Sequence, residues 1–213
     1  MISILLADDH AVVRAGYRFL LSQFPRFRIV AESADSDGTY HKYFQYHPQV
    51  LILDLALPGS GGLSVLRRIL GRDPKAKVLV VTMHEEALYA KRALEAGAKG
   101  YLPKSADPDL LPKAIEKVAR GQTYVAEPIA QALLAQYASG HPEGMLARLS
   151  PREFEIFCLA ARGLTLKQIA TNLHISYKTA ANYLTQIKHK LNVATLAELT
   201  HLAYVHKLFD TVI

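Results

Sequence analysis

The sequence predicts a doubly wound α/β domain, a (βα)5 parallel sheet, followed by a small all-α domain of four helices. Three observations carry this. Five short apolar runs alternate with amphipathic stretches through the first 120 of the 213 residues. A polar stretch rich in turn formers, SGHPEG (139–144), then interrupts the pattern. From Leu149 onward no strand pattern survives and helix-start signals recur.

The strand candidates are ISILLA (2–7), FRIVAE (27–32), VLILDL (50–55), KVLVVT (77–82) and KGYLP (99–103). Helical patterns lie near 11–23, 36–46, 62–71, 85–96 and 107–120. Strict strand–helix alternation favours one parallel sheet with helices on both faces. Residues 1–120 therefore form the first domain, and 121–148 read as a linker with a short helix around IAQALLAQY. Residues 149–213 form the second domain. There Ser150-Pro-Arg-Glu153 opens a helix with Ser as N-cap, Pro151 at the first helical position and Glu153 at the third. Thr165 and Ser176 cap two more helices, and Thr195-Leu-Ala-Glu198 is a further capping box.

Composition narrows the function classes. Half the residues are hydrophobic, which excludes a disordered chain, and no apolar run approaches a membrane span. The first ten residues, MISILLADDH, lack the basic leader of a signal peptide. The single cysteine, Cys158, sits in the apolar helical pattern FEIFCLAA and reads as a core thiol, so a reducing cytoplasm is expected. The net charge of +6 makes nucleic acid a plausible partner without establishing it. The nine histidines form no H-E-x-x-H motif. His201 and His206, five apart, share no helix face and read as surface or interface residues.

Chemistry gathers at the carboxyl ends of strands in such a sheet. Those ends carry Asp8 and Asp9 after strand one, Asp54 after strand three, Thr82 at the end of strand four and Lys104 after strand five. A bare carboxylate closing VLILD is tolerable only at the open end of a buried strand. Three converging carboxylates repel unless a cation sits among them, and hard oxygen donors suit Mg²⁺. A hydroxyl and an ammonium beside them would serve an anion joining the metal, the simplest being a phosphoryl group carried on a carboxylate.

Two enzyme readings fail on particular positions. PGSGG (58–62) has no Lys after its glycines, as a P-loop requires, and a dinucleotide fingerprint should follow the first strand, where DDH stands instead. The glycines read as the turn into the third helix. A phosphatase of the haloacid-dehalogenase type would need a second Asp at position 56, where Ala56 cannot transfer a proton. The chain is not expected to be an enzyme.

The set DD (8–9), D (54), T (82) and K (104) resembles the receiver domain of bacterial two-component response regulators. LSPREFEIF…ARGLTLKQIATNLHISYKTAANYLTQIKHKL resembles the LuxR-type helix-turn-helix. Together they resemble the NarL/FixJ family over almost the whole chain. The resemblance implies a flavodoxin-like receiver whose Asp54 accepts phosphate from a histidine kinase. It further implies Mg²⁺ bound by Asp9 directly, by Asp8 through water, by Asp54 and by the backbone carbonyl of Ala56. Thr82 and Lys104 would contact the phosphoryl oxygens, and Tyr101 would be the aromatic switch residue, a strand-edge aromatic in the resting state. Pro103 precedes the lysine here, where the family often has Pro after it.

In the second domain, helix, short turn (His174-Ile175) and helix have the dimensions of a DNA reader. Leu173, Ile175, Leu184, Ile187 and Leu191 are the apolar positions that hold the pair together. By motif position Ala181, Asn182 and Thr185 would read base edges, while Lys178, Thr179, Lys188 and Lys190 would meet phosphates. Ala180 and Ala181 stand where the family often has Val and a polar or basic residue. The competing reading is a four-helix protein-interaction module with the lysines as a solvated face. In the family the last helix (195–206) dimerises, which implies a homodimer on double-stranded DNA; its plainer role is packing onto the domain core.

Overall fold

The computed structural model describes residues 1–138, 145–206 and 208. The chain forms two compact units, Met1–Leu133 and Leu134–Ile213.

The first unit is built on strands β1 (Ile2–Ala7), β2 (Phe27–Ser33), β3 (Val50–Leu53), β4 (Val78–Thr82), β5 (Gly100–Pro103) and β6 (Tyr124–Val125). All pair in parallel, in the order β2-β1-β3-β4-β5-β6. β3, β4 and β5 are buried throughout, as is β1 from Ile4 onward, which explains why these runs lack polar alternation. The chain leaves β1 toward β2 on one side and returns to β3 on the other. That reversal opens a crevice at the carboxyl ends of β1 and β3, where Asp8 and Asp54 stand.

Five helices connect the strands: α1 (Ala11–Ser22), α2 (Ser36–Tyr46), α3 (Gly62–Arg72), α4 (Ala87–Glu95) and α5 (Leu110–Ala119). α3 shows why the pattern was readable. Leu63, Val65, Leu66 and Ile69 are buried, while Arg67 and Arg68 face water. Gly62 begins α3 against the end of β3, donating its N–H to the Leu55 carbonyl at 2.9 Å. A Cβ there would stand 2.3 Å from the Asp54 carbonyl oxygen, so only glycine fits. The glycine cluster thus serves backbone approach next to Asp54.

The sheet has six strands where five were expected. β6 lies in the segment read as a linker, with Tyr124 donating to the Lys99 carbonyl at 2.9 Å and Ala126 to that of Tyr101 at 3.1 Å. Two residues carry no periodicity, so this strand exists only because β5 offers an open edge. α6 (Glu127–Ala138) follows, and residues 121–133 belong to the first unit. The turn-former stretch 139–144 lies outside the described residues.

The second unit contains a 3₁₀ turn (Leu146–Arg148) and helices α7 (Pro151–Ala161), α8 (Leu166–Asn172), α9 (Tyr177–Leu191) and α10 (Leu196–Val205). Reciprocal capping boxes open α7 and α8, through Ser150 with Glu153 and Thr165 with Gln168. Ser176 caps α9, accepting from Thr179 N–H at 3.0 Å. The expected box at α10 is modified. Thr195 caps Glu198 N–H at 3.2 Å, but the Glu198 carboxylate accepts from Ala194 N–H at 2.8 Å, one residue before the N-cap. Phe154, Phe157, Cys158, Ile169, Ala180, Ile187, Leu191 and Leu199 make the core, and Cys158 is a buried free thiol. Among the described residues no helix is long and apolar enough to cross a membrane.

Candidate functional site

The crevice of the first unit collects the strand-end residues. Asp54 follows β3 and is held by its own N–H, which donates to the Ala7 carbonyl at 2.9 Å. Its Oδ1 accepts from the N–H of half-buried Ala56 at 3.2 Å. Its Oδ2 lies 2.6 Å from Lys104 Nζ, which also reaches Asp8 Oδ2 at 2.7 Å. These three side chains are 1%, 6% and 3% exposed, so the ammonium bridges two buried carboxylates. Burial alone would pull the Lys104 pKa down, but Asp54 and Asp8 outweigh it and raise the value above that of an ordinary lysine. Burial raises the Asp8 pKa, and the contacts with Lys104 do not fully offset it.

Asp9 and His10 form the outer rim. Asp9 Oδ1 is buried and has no hydrogen-bond partner, although His10 Nδ1 is only 2.7 Å away. One ligand atom from each of Asp8, Asp9, His10 and Asp54 lies within 4.8 Å of all the others. Hard carboxylate oxygens, one of them unbonded, fit a divalent cation. Half-buried Tyr17 borders the same charges, and burial pushes its phenol up to about 12.

Thr82, at the end of β4, is fully buried, and its Oγ1 accepts from His84 N–H at 3.5 Å. Tyr101 on β5 is fully buried too, rather than a strand-edge ring. Its hydroxyl donates to the His84 carbonyl at 2.8 Å, and burial raises its pKa well above the ordinary value. The β4–α4 loop therefore joins the Thr82 hydroxyl and the Tyr101 ring through one residue. Of the expected site residues the structure brings Asp8, Asp9, Asp54, Lys104 and Thr82 to one sheet edge. His10 is the addition, and DDH displayed it one position beyond the carboxylates.

In the second unit α8 and α9 are joined by a tight turn in which His174 takes a left-handed φ of 50°. Leu173, Ile187 and Leu191 are buried, while Ile175 and Leu184 are half-buried, as the apolar stripe requires. Opposite that stripe Lys178, Asn182, Thr185, Gln186 and His189 are exposed at helical spacing. Gln186 and His189, which motif position does not name, share this exposed face by the helical period. Thr179 and Ala181 are half-buried on the flank, and Thr179 Oγ1 lies 2.8 Å from Ser176 Oγ. Thr185 Oγ1 bonds back to the Ala181 carbonyl at 3.0 Å. Lys188 Nζ donates to the Ala194 carbonyl at 3.0 Å.

Lys190 stands apart. Its Nζ is 2.7 Å from Glu153 Oε2, the carboxylate that also caps α7. Burial works to raise the Glu153 pKa, but bonds from Lys190 and Ser150 win and lower it. Arg152, also buried, donates to Glu155 and to the Leu173 carbonyl, both at 2.8 Å, and so ties α7 to the helix-turn-helix turn.

Comparison with known proteins agrees with both halves. Residues 4–116 match the response regulator receiver domain, and residues 147–203 match the bacterial regulatory proteins of the luxR family. The chain is 36% identical to the oxygen regulatory protein NreC of Staphylococcus carnosus, covering 97% of this chain and 99% of that protein. It is 35% identical to the response regulator UvrY of Escherichia coli K12, covering 98% and 96%. Among solved structures, RcsB from Salmonella enterica serovar Typhimurium, bound to promoter rprA with phosphomimetic BeF3⁻, is 28% identical. The match covers 94% of this chain and 96% of that one, with a TM-score of 0.65.

Proposed function

The chain belongs to the NarL/FixJ family of two-component response regulators, and from that premise we propose that phosphorylation of Asp54 by a histidine kinase governs its binding to promoter DNA. A receiver domain joined to a LuxR-type DNA-binding domain makes it a transcription regulator, in a family that is not one of enzymes. The observation that carries the proposal is the buried Asp54–Lys104–Asp8 bridge at the topological switch point.

An Asp54 carboxylate oxygen attacks the phosphorus of the donor phosphohistidine. The P–N bond breaks, and the imidazole leaves with the electron pair and takes up a proton. Asp9, Asp8, Asp54 and the Ala56 carbonyl would hold Mg²⁺, with Asp9 the direct ligand, since its buried Oδ1 is unbonded while both Asp8 oxygens are occupied. The ion supplies Lewis-acid neutralisation of the transferring oxygens. Lys104 exchanges its contact with the Asp54 carboxylate for one with the phosphoryl group. Thr82 turns its hydroxyl to the same group, and the shared loop residue His84 transmits that turn to Tyr101.

On DNA, α9 enters the major groove. Asn182 reads a base edge with Ala181 and Thr185 beside it, and Lys178, Thr179 and Lys188 meet phosphates. Lys190, held by Glu153, has the least freedom to join them. The relative RcsB forms dimers on DNA, which supports a homodimer here through α10. Kinase and DNA together make the cytoplasm its place of action.

The test is DNA affinity of the whole chain for a selected site, before and after acetyl phosphate with Mg²⁺. Wild type should gain affinity and Asp54→Asn should not. An unchanged wild-type affinity, or an equal gain in Asp54→Asn, overturns the proposal.

A further inference from the structure

The three carboxylates account for an oxygen-bound Mg²⁺, but they leave His10 without a role. Its Nδ1 lies 2.7 Å from Oδ1 of Asp9, the direct ligand. Two ligands at right angles on one ion, each about 2.1 Å from it, stand about 3 Å apart. The 2.7 Å separation is close to that value. Asp9 Oδ1 is buried and accepts no hydrogen bond despite this closeness. Asp8, Asp9, His10 and Asp54 each offer a ligand atom within 4.8 Å of the others, and an oxygen without a hydrogen bond beside an imidazole nitrogen is what a shared cation satisfies. The imidazole is 61% exposed, so it can adjust to an ion that the buried carboxylates fix.

We infer that His10 is a nitrogen ligand of the acidic site, which biases the site toward first-row transition dications of the Co²⁺, Ni²⁺ and Zn²⁺ class relative to Mg²⁺. This rests on the reading of Asp8, Asp9 and Asp54 as metal-holding residues. Mg²⁺ is a hard ion that takes oxygen and parts reluctantly with water, so it gains little from an imidazole. The later transition ions gain much, since imidazole suits them and affinity rises along their series. A site of carboxylates alone would rank the same ions less steeply.

Isothermal titration of the intact chain with Mg²⁺ and with Co²⁺, in wild type and His10→Ala, tests this. The Co²⁺ titration is repeated in saturating Mg²⁺, and only the Co²⁺ binding that Mg²⁺ displaces is counted, which removes ions held by other histidines. Loss of an outer-shell partner already costs metal sites about tenfold in affinity, so His10→Ala should lower the Co²⁺-to-Mg²⁺ affinity ratio by at least about tenfold. Mg²⁺ binding with an unchanged ratio overturns the role of His10 alone. Wild type that binds no Mg²⁺ overturns the acidic site itself, and this inference with it.

Discussion

Replacing Lys104 by methionine keeps an apolar stem and removes the ammonium that Asp8 and Asp54 share. Both carboxylates are almost wholly buried, so neither can be rehydrated in place. Breaking a buried ion pair by deleting one partner costs roughly 3–5 kcal/mol. A ceiling applies, because one carboxyl can take a proton instead. Near pH 7 protonating an ordinary aspartate costs about 4 kcal/mol, some three pH units at about 1.4 kcal/mol each. Asp8 starts above the ordinary value through burial, which brings the ceiling below that figure. Near pH 5 the same arithmetic leaves about 1.5 kcal/mol or less.

The sign follows from linkage. Asp8, with its folded pKa raised, adds stability below the unfolded value and loses it as pH rises through the folded one. The variant's deficit therefore grows from acid toward neutral pH. In wild type, Lys104 has a folded pKa above 10.5, so its contribution is complete below that value and fades only in strong alkali. Amide exchange of β1 and β3 peptides reports the opening free energy of this unit apart from the helical one. A loss below about 1 kcal/mol near pH 7, or one that ignores pH, would refute the reasoning.

Glu153→Gln should destabilise α7 and α9 by about 1 kcal/mol near neutral pH, since Lys190 is half-exposed and its pair is partly screened. The Glu153 pKa is lowered in the fold, so its contribution is present above the unfolded value and vanishes as pH falls through the folded one. Wild type and variant exchange profiles should then converge in acid. On DNA, Lys188→Ala should weaken selected and scrambled sites in parallel and reduce the salt slope by about one unit. Asn182→Ala should cost about 1–3 kcal/mol on the selected site alone, measured as affinity for both sites across a salt series.

Much of this was legible because strand ends and helix faces are set by local pattern. A buried strand cannot hide a charge, so Asp54 had to mark where β3 opens, and Asp8 and Lys104 followed by the same logic. Capping residues fixed the starts of α7, α8 and α9 before any packing was known. What stayed hidden depends on neighbours distant in the chain. β6 needed the edge of β5, and the need for glycine at 62 arises from the Asp54 carbonyl folding back over it. The attachment of Lys190 to Glu153 joins residues 37 apart, which no motif position encodes. The hydrogen bond from the buried Tyr101 hydroxyl to the His84 carbonyl likewise joins residues 17 apart.

The central claim is that Asp54 is the residue that carries the phosphoryl group. Borohydride reduction after acetyl phosphate and Mg²⁺ converts an aspartyl phosphate to homoserine, and peptide sequencing by mass spectrometry locates it. The account predicts homoserine at position 54 and nowhere else. Homoserine at Asp8 or Asp9, or none in protein that has gained a phosphoryl group, would contradict it.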